Sequence, residues 1–121
     1  MKKIVLLFSH VLTKVQEDEL KNVWNCEKII YMPDNLKNNW MNVFENVDIE
    51  QFKKFLLDTL EKNDYVLIQG EWGLTYKMIN FAKENEFIPL YAGTVRKVKE
   101  SKIGNIVKKE SIFEHTKFKK Y

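Results

Sequence analysis

Three short clusters of residues have the types and spacing that chemistry on a phosphate requires. Ser9 and His10 follow a first apolar run, Gln69, Gly70, Glu71, Gly73 and Thr75 follow a second, and Gly93, Thr94 and Arg96 follow a third. Backbone N–H groups at a glycine-bearing helix start can approach an anion closely. The planar fork of Arg96 matches phosphate oxygens, and the hydroxyls of Ser9, Thr75 and Thr94 can hold a sugar or a non-bridging oxygen. His10 belongs to the residue type that gives and takes protons near neutral pH.

Glu71 repels a phosphate, so its presence needs a reason. It can accept a proton from an attacking hydroxyl, accept a hydrogen bond from an adenine amino group, pair with Arg96, or sit as an acid favoured by a helix N-terminus. The loop around it, QGEWGLTY, is no Walker A sequence and lacks the third glycine of a dinucleotide fingerprint. A purely structural account of its glycines is a positive-φ turn at Gly70 and close helix packing at Gly73. Trp72 and Tyr76 can stack on a base, although Tyr76 at helical spacing reads as core. His115, in the basic tail, reads as structural or solvent-facing. Two distant histidines and the lone Cys26 offer no metal site, and no cofactor is implied.

The elements that must position these clusters alternate. Residues 4–8 are apolar throughout, as in a strand buried on both faces. Thr13 and Gln16 form a T-x-x-Q capping box opening a helix over about 13–24, with Leu12, Val15, Leu20, Val23 and Trp24 as its apolar face. A second strand over 28–32 stops at Pro33. A short helix over 35–44 follows, carrying Leu36, Trp40, Val43 and Phe44, and then a helix capped by Asp48. The third strand covers 64–68, the next helix 71–85 and the fourth strand 87–91. Segments 95–99 and 106–110 then predict a hairpin turning near Gly104, followed by a last strand-like run over 112–118. The pattern implies one Rossmann-like α/β domain over residues 1–121, with a mostly parallel sheet flanked by helices and a C-terminal β-hairpin and strand appendage. In such sheets ligands gather at the strand C-termini, where all three clusters fall.

The composition bounds the rest. A chain of 121 residues that is 45% hydrophobic and 13% aromatic can bury one core. A net charge of +3 is too even for a protein that coats nucleic acid, although from Arg96 onward nine Lys or Arg face three Glu. The apolar start is too short for a signal peptide and no segment suits a membrane span, so a reduced, cytoplasmic setting is expected, with no membrane and no stable nucleic-acid polymer as partner.

Four blocks, LLFSHVLT (6–13), YVLIQGEWGLTY (65–76), IPLYAGTVR (88–96) and FEHTKFKKY (113–121), resemble the CRISPR-associated Csx-twenty family, small proteins encoded beside type III CRISPR systems. The resemblance implies a CARF-like, metal-independent ring nuclease. Such enzymes cleave cyclic oligoadenylate second messengers, typically cyclic tetra-adenylate, and so switch off the antiviral response. They work as homodimers with the ring at the interface, and a ribose 2′-hydroxyl attacks the adjacent phosphate. The positions carried over are Ser9, His10, Gln69, Gly70, Glu71, Gly73, Thr75, Thr94 and Arg96, with Glu71, His10 and Arg96 as the catalytic candidates. Where that family tends to have a threonine pair before its arginine, this chain has Gly93-Thr94-Val95-Arg96. The alternatives are a binding-only sensor of the same ligand and a small RNA- or protein-interaction module using Lys117, Lys119, Lys120, Phe118 and Tyr121.

Overall fold

The computed structural model describes residues 2–43 and 48–121. The elements run β1 (Lys2–Leu7), α1 (Lys14–Asn22), β2 (Cys26–Tyr31), α2 (Asp34–Met41), α3 (Glu50–Thr59), β3 (Tyr65–Ile68), α4 (Trp72–Glu84), β4 (Ile88–Ile103) and β5 (Ile106–Lys120). They build one five-stranded sheet in the order β2-β1-β3-β4-β5. The first four strands are parallel and β5 is antiparallel to β4. Phe44, expected at the end of the second helix, lies outside the described residues.

Strand alternation divides the core. Val5, Leu7, Val66 and Ile68 point to one face and pack on α2, α3 and α4 through Trp40, Phe52, Leu56 and Met78. Ile4, Leu6, Leu67 and Leu90 point to the other and meet Leu20 of α1 and Phe118 of β5. Ile4 to Leu7 are fully buried, as a strand covered on both faces requires. Cys26 is also buried, and burial first, with the Asp64 carboxylate second, pushes its thiol up to about 11.

Local signals set the helix starts. The capping box forms: Thr13 Oγ1 accepts the Gln16 N–H at 3.2 Å and Gln16 Oε1 accepts the Thr13 N–H at 3.0 Å. Asp48, the expected cap, sits one position outside the observed one. Ile49 is the N-cap of α3, and Asp48 accepts the Glu50 N–H at 3.0 Å. Two members of the anticipated α1 face, Val15 and Val23, are exposed, while Gln16 is buried in their place. The box draws Gln16 inward, and that turns Val15 out.

The C-terminal part differs from expectation. The fourth strand, hairpin and last strand are two continuous strands, β4 and β5, paired from Leu90–Lys120 to Ile103–Ile106. Gly93 does not end β4. A bulge lies between Gly93 and Thr94, and the backbone comes so close there that a Cβ on Gly93 would stand 2.8 Å from the Lys117 carbonyl oxygen. The turn falls at Gly104 as anticipated, with φ at 61°. Past the bulge the pair leaves the sheet as a two-stranded ribbon about 33 Å long.

Candidate functional site

The strand order reverses between β1 and β3, since the chain goes from β1 outward to β2 and returns on the far side of β1. Loops leaving two neighbouring strand ends in opposite directions open a crevice between them. A cleft of about 300 Å³ occupies that place, lined by Ser9, Trp40, Met41, Val43, Gly70 and Glu71.

Gln69 holds the cleft's shape. Its N–H donates to the Leu7 carbonyl at 3.0 Å, its carbonyl accepts the Trp40 indole N–H at 3.0 Å, and its Oε1 accepts the Ala92 N–H at 2.9 Å. One residue thus ties β1, β3, β4 and α2 together with groups that are no longer free for a ligand. Gly70 serves the same packing. Its φ is not positive, contrary to the structural account drawn from the sequence. A Cβ there would lie 2.6 Å from Trp40 Nε1, so the glycine is what admits the indole.

Glu71 caps α4. Its two carboxylate oxygens accept the Gly73 N–H at 3.0 Å and the Leu74 N–H at 2.8 Å. The Leu74 N–H first, then the Gly73 N–H and the charge of Lys77, hold its carboxyl below the usual carboxylate range. The helix-start amides expected to face a phosphate are therefore occupied by the chain's own carboxylate. Thr75, one turn further, has a buried Oγ1 with no hydrogen-bond partner. Trp72 is 90% exposed beside the cleft, and Tyr76 is 68% exposed. Tyr76 is not core, because α4 turns Leu74, Met78 and Ala82 inward and leaves positions 72 and 76 on its outer face.

His10 is exposed, its ring edge-on to Phe8 at a centroid distance of 5.2 Å. Thr94 and Arg96 are not brought to the cleft. Tyr91 is level with the end of β3, and Arg96 lies about 17 Å further along the ribbon. There its guanidinium donates to Ser111 Oγ at 2.9 and 3.1 Å and does not pair with Glu71.

A second polar cluster escaped the sequence. Glu19 of α1 accepts the His115 Nε2–H at 2.7 Å, the Phe118 N–H at 2.7 Å and the Trp24 indole N–H at 2.9 Å. Burial opposes its charge, but the bonds from Trp24, His115 and Phe118 outweigh burial and lower its pKa. His115 is structural, and the cleft beside it, about 560 Å³, is bordered by Glu19, Trp24 and Lys117 to Lys119. No local signal links residues so far apart in sequence. Among the described residues no group of three or more metal-ligating side chains gathers, and no helix is long and apolar enough to cross a membrane.

A family model described as "Uncharacterized protein MJ1673 family" matches residues 2–119. The chain belongs to that family. Similar to it is the protein described as "Uncharacterized protein MJ1673" of Methanocaldococcus jannaschii, 42% identical over 127 residues, covering 100% of this chain and 98% of the relative. The MJ1673 family match thus takes in every element from β1 through nearly all of β5, including the cleft and the ribbon. No solved structure matches the chain.

Proposed function

We propose that this protein binds a cyclic oligoadenylate at the C-terminal face of its sheet and cleaves it without a metal, acting as a ring nuclease of type III CRISPR signalling. The cleft at the β1–β3 reversal carries this reading: Ser9, Gly70 and Glu71 meet there with the Trp72 indole standing free beside them. An exposed indole next to a polar cleft suits an adenine stacked over a held phosphodiester. The resemblance of the four sequence blocks points to the same ligand.

In the proposed step the ribose 2′-oxygen attacks the adjacent phosphorus in line and the bond from phosphorus to the 5′-oxygen breaks. The 2′-hydroxyl proton leaves to a base, and a proton reaches the 5′-oxygen. The products are a 2′,3′-cyclic phosphate and a 5′-hydroxyl. Positioning and charge stabilisation do most of such work. In this reading Ser9, on the cleft wall, holds a phosphate or ribose oxygen, and exposed His10 moves a proton. A two-fold ring ligand suits two copies of the chain, each offering the same loops.

One observation favours binding without turnover as a second reading. Among the described residues the cleft's one carboxylate, Glu71, is engaged by two N–H groups and is a weak base for it. Incubation of the protein with labelled cyclic tetra-adenylate in EDTA separates the two. Linear products ending in 2′,3′-cyclic phosphate support the nuclease; an intact ring that still binds supports the sensor; absence of binding overturns both.

A further inference from the structure

We infer that the ribbon formed by residues 94–115 is an arm that docks on the C-terminal face of a second copy of this chain, each copy holding the other. Pairing register puts Val98, Val107 and Phe113 on one side of the ribbon, 58%, 50% and 70% exposed. Val95, Ile103, Ile106 and Ile112 occupy the other, 43–75% exposed. A two-stranded ribbon with apolar side chains in water on both faces is marginal by itself. With ~150–200 Å² per large residue the richer side presents on the order of 400 Å², and in a two-fold pair each copy buries one arm and one face, which brings the total toward the ~800 Å² per partner of a stable interface.

Charge selects the occupant. The ribbon holds six Lys or Arg against three Glu. It leaves the body from the same end at which α1, α2 and α4 begin, and those starts carry Glu17, Asp34 and Glu71 against Lys14 and Lys37, of which Lys14 is taken up by Asp18. A basic arm and a weakly acidic face at one end of a molecule complement each other across a two-fold axis, where arm meets face twice. Apolar groups match as well, since exposed Val11, Val15 and Trp72 stand around the same face. A polyanion fits less well, because Lys97, Lys108 and Lys109 are already paired with Glu114, Glu110 and Glu100 along the ribbon.

The arrangement also gives Arg96 a purpose. No cation lines the cleft of a single copy among the described residues. An Arg96 carried about 17 Å out on the arm stands opposite the partner's cleft when the two faces meet. This last consequence rests on the proposed ligand; the docking itself does not.

Sedimentation velocity on the full chain, without nucleotide, tests the docking. The wild type should sediment as a dimer at tens of micromolar, and Val98→Lys with Phe113→Lys should weaken the dimer by about tenfold or more. Thiol protection of Cys26 reports that the body of the variant is folded. A charge swap adds a second arm of the test. A Glu17→Lys, Asp34→Lys chain and a Lys99→Glu, Lys102→Glu chain should each be mostly monomeric alone and pair when mixed. A monomeric wild type, a dimer indifferent to the ribbon substitutions, or a monomer that binds single-stranded RNA through the ribbon would each overturn the inference. Loss of ring binding with the dimer intact would count against the ligand alone.

Discussion

Glu19 and His115, 96 residues apart in sequence, meet at 2.7 Å and fasten α1 to the base of β5. The contact is nearly dry, the side chains being 13% and 8% exposed. The same carboxylate also takes the Phe118 N–H and the Trp24 indole. Glu19→Ala strands three donors and should cost about 2–4 kcal/mol in urea unfolding.

The pH dependence of that loss has a definite sign. Glu19 titrates lower in the folded protein than its ordinary 4.5, so its stabilisation is complete above pH 4.5 and fades as pH falls through the folded value. Thermal melts of wild type and Glu19→Gln should differ most near neutrality and converge in acid. A gap that widened below pH 4 would reverse the assignment.

Gly70→Ala should destabilise the protein by ~1–3 kcal/mol, because its Cβ would meet Trp40 Nε1 at 2.6 Å in a packed site. Gly73→Ala should cost less, since the nearest atom is a Glu71 carboxylate oxygen at 3.3 Å, the end of a flexible side chain that needs to give only slightly. Denaturant midpoints of the two variants check the order.

For Glu71, cap and base make opposite forecasts. A serine can accept an amide N–H at a helix start, so Glu71→Ser should keep α4 and retain turnover within a few-fold if capping is the role. Glu71→Ala should fray the first turn and lose more. Equal, severe loss in both variants, with both folded, would make Glu71 a catalytic residue.

Thr75→Val removes a buried hydroxyl that has no partner and keeps the shape, so stability should rise by about 1 kcal/mol. Titration with the cyclic ligand supplies the functional readout. Weaker binding alongside higher stability would mark Thr75 as a ligand contact, and unchanged binding would remove it from the site.

Sequence reasoning worked where the cause was local. The Thr13–Gln16 box, the two-sided burial of Ile4 to Leu7 and the turn at Gly104 each depend on a few neighbouring residues, and each stands where the residues placed it. The alternation of apolar runs also sufficed for the α/β architecture. It failed where a distant group decided. Gly70 is shaped by an indole thirty positions earlier, and Gly93 reads as a strand end because the Lys117 carbonyl that demands a glycine there lies far off in sequence. Arg96 shares a neighbourhood with Glu71 only if β4 stops at Tyr91. A strand running on to Ile103 carries it away.

The union of α1 with β5 sets a timetable for synthesis. When a growing chain has reached Leu90, the parallel-paired parts of β1 to β4 and helices α1 to α4 already exist in sequence, yet Glu19 and Gln16 still lack their partners on β5. Only after Phe118 has left the ribosome can one side of the sheet be closed, so the helix made first is among the last to be secured.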